Sequence, residues 1–90
     1  MRGIRGAITV KENTKTEIIT ATRQMIKKII EENKLSRDEI VSMIFTATKD
    51  LNRAYPAVAA RELGYENIPL MCYQELNIKN SLNKCIRIMV

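Results

Sequence analysis

The amino-acid sequence predicts an α+β fold in which a mixed β-sheet packs against one long amphipathic helix. Three observations lead to this prediction. Ninety residues suffice for a single domain, 1–90, because a second hydrophobic core would not fit in so short a chain. One long segment has apolar residues at helical spacing. Four short apolar runs have the length and composition of strands.

The first strand and the long helix are the clearest elements. Residues 4–10 end in a β-branched run, which predicts a strand. Thr14 and Glu17 have capping-box spacing, which predicts a helix that begins there and ends near Asn33. Its predicted core stripe consists of Ile18, Ile19, Ala21, Thr22, Met25, Ile26, Ile29 and Ile30.

The middle of the chain predicts a turn, a strand and a short helix. Residues 36–39 repeat the capping-box spacing but lead only into a helical turn, because residues 41–48 have the composition of a half-buried strand. Pro56 fits the first turn of a helix that ends at Leu63, with Gly64 as its left-handed cap.

The last two predicted strands are residues 68–74 and 85–90, joined by the largely polar loop 77–83. The sequence stops inside the apolar run of the fourth strand, without a polar ending. Because edge strands usually carry some protection against further pairing, this predicts that a partner covers the strand or that residues are missing from the chain.

Composition excludes several classes of function. The chain has no histidine, which removes Ser-His and Cys-His nucleophile pairs, histidine-ligated metals and a histidine acid or base. Cys72 and Cys85 are too few for a four-cysteine zinc site, so we expect buried reduced thiols and no metal. With no apolar run of the roughly 18–20 residues a membrane span needs and no signal peptide, we predict a cytoplasmic protein without a membrane partner.

The net charge of +5 is spread along the chain. Residues 1–45 hold nine basic against six acidic residues, and residues 46–90 hold six against four. The chain's four aromatic residues offer little for base stacking, so a nucleic-acid partner is not expected. A small anionic ligand suits this charge as well as a polyanion does.

Three ionisable residues suggest where such a ligand would bind. Arg5 and Arg87 lie within apolar strand segments, and Glu75 follows the third strand directly. If these strands are neighbours in one sheet, the side chains could line one pocket for a ligand with carboxylates and a hydroxyl. The plainer interpretation, which the pattern alone favours, places them on the solvent face or pairs Glu75 with an arginine.

Four separated segments resemble, in order and spacing, the monofunctional trimeric α/β class of chorismate mutase. They are residues 2–10 (RGIRGAITV), residues 55–57 (YPA) with 61–63 (REL), residues 69–76 around CYQE, and residues 84–87 (KCIR). The resemblance covers nearly the whole chain. It implies three subunits around a pseudo-barrel core, with active sites between subunits and no cofactor. The reaction would be the Claisen rearrangement of chorismate to prephenate, on the route to phenylalanine and tyrosine.

The resemblance also implies roles for individual residues. Arg87 would donate to the ether oxygen and to a substrate carboxylate, Arg5 would pair with a carboxylate, and Glu75 would accept from the ring hydroxyl. Cys72 would contact the same hydroxyl region. The remaining substrate-binding candidates are Met71, Tyr73, Gln74 and Ala57, together with Tyr55 and Arg61, which would come from the neighbouring subunit.

This sequence departs from the family pattern at several points. Val58 stands where the family tends to have a lysine, and Met71 where a threonine often precedes the pocket cysteine. Relatives continue beyond the last strand with a further strand, whose tyrosine covers the pocket, and a mobile tail; we expect these to be absent here. The alternative hypothesis is a non-catalytic trimeric module that binds or senses a small carboxylate ligand without rearranging it.

Overall fold

The computed structural model describes residues 3–79 and 83–90. Arg2 of the resembling segment and part of the predicted loop 77–83 therefore lie outside the described residues. The elements, in chain order, are β1 (Arg5–Thr9), α1 (Lys15–Asn33), a 3₁₀ turn (Arg37–Glu39), β2 (Met43–Ala47), α2 (Ala57–Glu62), β3 (Leu70–Gln74) and β4 (Cys85–Met89). The predicted α+β class is confirmed, with each element inside or close to its predicted range.

The four strands form one mixed sheet in the order β1-β4-β2-β3. β4 runs antiparallel to both β1 and β2, and β2 runs parallel to β3. The expectation that a partner or further residues must cover the final strand rested on its being an edge strand, and that premise is wrong. β4 is an inner strand, and Val90 continues its pairing through two backbone hydrogen bonds with Ile4 of 2.8 and 3.1 Å. An apolar run is what an inner strand requires.

The hydrophobic core lies between α1 and one face of the sheet. All the predicted stripe residues of α1 are buried except Ile30, which is partly buried and packs against the core. Thr22 is fully buried, and its hydroxyl donates to the carbonyl oxygen of Ile18 at 2.7 Å, so burial leaves no unpaired donor. Gly6 lets the helix approach β1 closely, because a Cβ there would lie 2.7 Å from Cδ1 of Ile29.

The predicted helix boundaries are explained by their caps. Thr14 is the N-cap of α1, and its hydroxyl oxygen accepts from the Glu17 backbone N–H at 3.1 Å. After α2, Gly64 has a φ of 94°, the left-handed conformation predicted for it. Within residues 3–79 and 83–90, no helix is both long and apolar enough to cross a membrane.

Candidate active site

The face of the sheet opposite α1 brings Arg5, Glu75 and Arg87 together. Side chains alternate between the two faces of a strand, so the exposed positions of β1 and β4 share this open face. The three residues line one concavity of about 690 Å³. They belong to one sheet as predicted, but β2 lies between β4 and β3, and Thr46 stands directly across from Arg87. The other lining residues are Gly6, Ala7, Ile44, Thr46, Ile88 and Met89.

Arg87 and Glu75 form an ion pair in this concavity. Nε of Arg87 lies 2.9 Å from Oε1 of Glu75, with the side chains 50% and 25% exposed. An ion pair this exposed contributes little to stability, so its main effect is to orient the guanidinium. Glu75 is held through its backbone as well, because its N–H donates to the carbonyl oxygen of Ala47 at 2.9 Å. The plainer prediction, that Glu75 pairs with an arginine, is thus confirmed alongside the shared pocket.

Arg5 adds a second positive charge to the concavity. Its side chain is exposed on β1, and among the described residues that side chain has no hydrogen-bond or ion-pair partner. Arg5, Arg87 and Glu75 together carry a net charge of +1. Such a site attracts an anion while offering one carboxylate that can accept hydrogen bonds from a hydroxyl.

A buried thiol lies beside the ion pair. Cys85 begins β4, two residues before Arg87, and is 1% exposed. Burial raises the pKa of the Cys85 thiol; the Arg87 charge lowers it in part and the Glu75 charge raises it further. Cys85 is therefore a protonated core residue at neutral pH.

Other predicted site residues line a second concavity, of about 420 Å³, where β2 and β3 end and the segment before α2 begins. Cys72 is half-buried and packs against the core, and Tyr55 is 72% exposed. The lining residues are Ala47, Thr48, Lys49, Leu51, Asn52, Arg53, Ala54, Tyr55, Pro56, Cys72, Tyr73 and Gln74. Within one chain, the predicted site is therefore divided between two surfaces.

The remaining predicted residues surround these surfaces. Met71 and Tyr73 are both about half exposed on β3, and the Tyr73 hydroxyl donates to the Met71 sulfur at 3.3 Å. Ala57 is buried at the start of α2, whereas Arg61 is exposed near its end. Val58, at the position of the family's lysine, is partly buried against the core.

The sequence did not predict a group of hydrogen bonds at the start of β4. We call this group, formed by Thr48, Asp50, Lys84 and Cys85, the latch. The backbone N–H of Lys84 donates to both carboxylate oxygens of Asp50, at 3.1 and 3.0 Å. The Thr48 hydroxyl donates to Asp50 and accepts from the Cys85 N–H at 3.0 Å. This latch fixes the strand that carries Arg87.

In the described ranges, no group of three or more Cys, Asp or Glu residues is arranged to hold a metal ion.

Comparison with known proteins gives a consistent set of matches. A family model described as chorismate mutase type I matches residues 1–90. The chain is 46% identical over 91 residues to chorismate mutase AroH of Bacillus subtilis (strain 168), covering 100% of this chain and 72% of that protein. It is 44% identical over 90 residues to chorismate mutase AroH of Thermus thermophilus, covering 99% and 74%.

A solved structure agrees with the sequence matches. The chorismate mutase from Clostridium thermocellum superposes with a TM-score of 0.97 at 48% sequence identity. The match covers 99% of this chain and 80% of that one. The backbone described above is therefore closely similar to one already seen in a solved structure.

Proposed function

The chain belongs to the chorismate mutase type I family, and on that premise we propose that its reaction takes place at the cluster of Arg5, Glu75 and Arg87. The protein is an isomerase that converts chorismate to prephenate, a step towards phenylalanine and tyrosine. The observation that carries the residue assignment is that the Arg87–Glu75 ion pair and the exposed Arg5 lie in one concavity.

The chemistry of the reaction suits this residue set. A Claisen rearrangement breaks the ether C–O bond as a C–C bond forms, without a nucleophile or proton transfer. Catalysis therefore consists of holding a compact substrate conformer and stabilising the charge that develops in the transition state. A chain without histidine can do both.

In the proposed mechanism Arg87 stabilises the negative charge that grows on the ether oxygen. Its Nε forms the ion pair with Glu75, and no described residue accepts a hydrogen bond from its terminal nitrogens. Those N–H groups are available to the ether oxygen and to a substrate carboxylate. Because Glu75 fixes the guanidinium plane before substrate arrives, the donors need little reorganisation during the reaction.

Arg5 and Glu75 complete the proposed contacts. Arg5 would bind a substrate carboxylate, for which the guanidinium fork is well matched. Glu75 would accept a hydrogen bond from the ring hydroxyl. The pair of cations favours a dicarboxylate, and the single carboxylate selects for the hydroxyl.

We further propose that the complete site forms between subunits of a homotrimer in the cytoplasm. Tyr55 and Arg61 lie away from the Arg87 concavity in the same chain, which supports a contribution from a neighbour. The open sheet face also exposes Met71, Tyr73 and Met89, each at about 50%, and exposed apolar groups of this kind are typical of interfaces. The free thiols of Cys72 and Cys85 suit a reducing compartment.

Substitution of Arg87 tests the proposal. We expect Arg87→Ala to lower kcat by about 10²–10³, the usual cost of removing one preorganised donor, and Arg87→Lys to restore only part of it. Arg23→Ala is the matched control, because Arg23 also pairs with a glutamate, Glu62, but on the helix side of the molecule. Chorismate loss is followed spectrophotometrically.

The pH dependence separates this mechanism from acid–base catalysis. Because the chain has no histidine and the reaction moves no proton, kcat should be flat between about pH 6 and 8. A wild-type kcat for Arg87→Ala, or a bell-shaped pH profile, would contradict the assignment.

A further inference from the structure

We propose that Thr46 is a positioning residue for this reaction, acting through Glu75. The inference rests on the proposed function and extends it to a residue outside the predicted site. Thr46 lies on β2, the strand that separates the Arg87 strand from the Glu75 strand. It is partly buried and lines the same concavity.

The Thr46 hydroxyl donates to one oxygen of Glu75, and Arg87 forms its ion pair with the same oxygen. The Thr46 hydroxyl lies 2.5 Å from Oε1, and Nε of Arg87 lies 2.9 Å from the same atom. No residue in 3–79 or 83–90 donates to Oε2. The arrangement therefore anchors the carboxylate through one oxygen and leaves the other to accept from the substrate hydroxyl.

The strand order explains why the Thr46 hydroxyl can reach the Glu75 carboxylate. Thr46 is paired with Arg87 on β4 and with Tyr73 on β3, so it projects on the open face between them. Glu75 follows the last residue of β3 and is partly exposed, so its carboxylate needs a side-chain anchor.

The expected consequence of losing this anchor is a rearranged ion pair. A carboxylate held only by a half-exposed arginine is weakly constrained. It can turn so that both of its oxygens accept from Arg87, the two-bond geometry that arginine and carboxylate favour. That arrangement would engage the terminal nitrogens and Oε2, the groups proposed to contact the substrate. Thr46 thus keeps Glu75 from competing with the substrate.

The test compares Thr46→Val, which removes the hydroxyl at nearly constant shape, with Thr46→Ser, which retains it. We expect Thr46→Val to lower kcat/KM about 10-fold, the effect of losing one hydrogen bond to a charged group, and Thr46→Ser to remain near wild type. Thr46→Ala provides a second hydroxyl-free variant. Thr9→Val is the matched control, an exposed threonine on β1 outside this concavity. Urea midpoints establish that each variant is folded.

A double-mutant cycle distinguishes this inference from the proposed function. If Thr46 acts through Glu75, Thr46→Val should add nothing to the loss caused by Glu75→Gln. Wild-type kcat/KM in Thr46→Val, equal impairment of Thr46→Ser and Thr46→Val, or additive losses would each overturn the positioning role while leaving Glu75 and Arg87 assigned. Full activity of both Glu75→Gln and Arg87→Ala would instead overturn the proposed site, and the role of Thr46 with it.

Discussion

Cys85 and Cys72 show how differently two thiols of one sheet are placed. Cys85 is 1% exposed at the start of β4, whereas Cys72 is half-buried on β3. Burial raises the pKa of Cys85 above its ordinary value of 9.0, with Glu75 raising it further and Arg87 opposing the shift. The thiolate is therefore disfavoured in the folded state relative to the unfolded chain.

This difference predicts a stability loss at alkaline pH. Between 9.0 and the raised folded pKa, the unfolded chain has already lost the Cys85 proton while the folded protein retains it. Stability contributed by the protonated thiol is thus complete below pH 9.0 and is lost as pH rises through the folded pKa. Urea titrations across this range should show a steeper fall for wild type than for Cys85→Ala. Parallel curves for wild type and Cys85→Ala would contradict the prediction.

The sequence singled out the charged residues of the proposed site, but it did not indicate Thr46, whose hydroxyl donates to Glu75. Arg5 and Arg87 are conspicuous because a charge in an apolar strand needs a partner. Thr46 lies in a run that reads as an ordinary half-buried strand, and its contact with Glu75 depends on β2 separating β3 from β4. That strand order is set by tertiary packing, so no local pattern indicates it.

At the scale of elements, α1 ends in a left-handed residue that is not glycine. Lys34 has φ 50° and ψ 48°, and the N–H of Leu35 donates back to the carbonyl oxygen of Ile30 at 3.1 Å. A side chain in this conformation is strained. Gly64 was predictable as a cap from its residue type, whereas a lysine gives no such signal.

Replacing Lys34 by glycine should therefore stabilise the protein. We expect Lys34→Gly to raise the free energy of unfolding by about 0.5–1 kcal/mol, because relief of the left-handed strain exceeds the extra chain entropy of glycine. Lys28→Gly is the control of opposite sign: Lys28 lies inside α1, where glycine costs about 1 kcal/mol. Urea denaturation measures both, and destabilisation by Lys34→Gly would contradict the argument.

The latch at the start of β4 predicts a larger effect. The Asp50 carboxylate accepts from the Lys84 N–H and the Thr48 hydroxyl, and Lys84 itself has a left-handed φ of 47°. We expect Asp50→Ala to lower the free energy of unfolding by about 1–3 kcal/mol, the cost of leaving such donors unpaired. Asp38→Ala, at an exposed position of the 3₁₀ turn, should change it by less than about 0.5 kcal/mol. Equal effects in the two variants would show that the latch is not stabilising.

At the scale of the whole molecule, the fold distributes the proposed site residues over two surfaces. The long helix and the mixed sheet followed from periodicity, whereas the placement of β4 in the sheet's interior did not, because its apolar ending was equally consistent with an uncovered edge. Arg5, Glu75 and Arg87 meet on the open face, while Tyr55 and Cys72 line the other concavity. A cyclic trimer could join one surface of each subunit to the other surface of its neighbour.

Hybrid trimers test this arrangement. Arg87→Ala damages one surface, and the double variant Tyr55→Ala, Arg61→Ala damages the other, so each parent trimer should have low activity. When the two are unfolded together and refolded at equal concentration, random assembly should leave about a quarter of the sites with both surfaces intact. Activity well above the mean of the parents is the expected result.

The control for this experiment mixes Arg87→Ala with Glu75→Ala, two variants damaged on the same surface. No site in those hybrids has an intact Arg87–Glu75 surface, so mixing should restore no activity. Sedimentation equilibrium confirms that every sample contains trimers. A folded monomer at micromolar concentration would contradict the proposed trimer. If trimers form but the activity of the refolded mixture equals the mean of the two parent variants, each subunit forms its site alone.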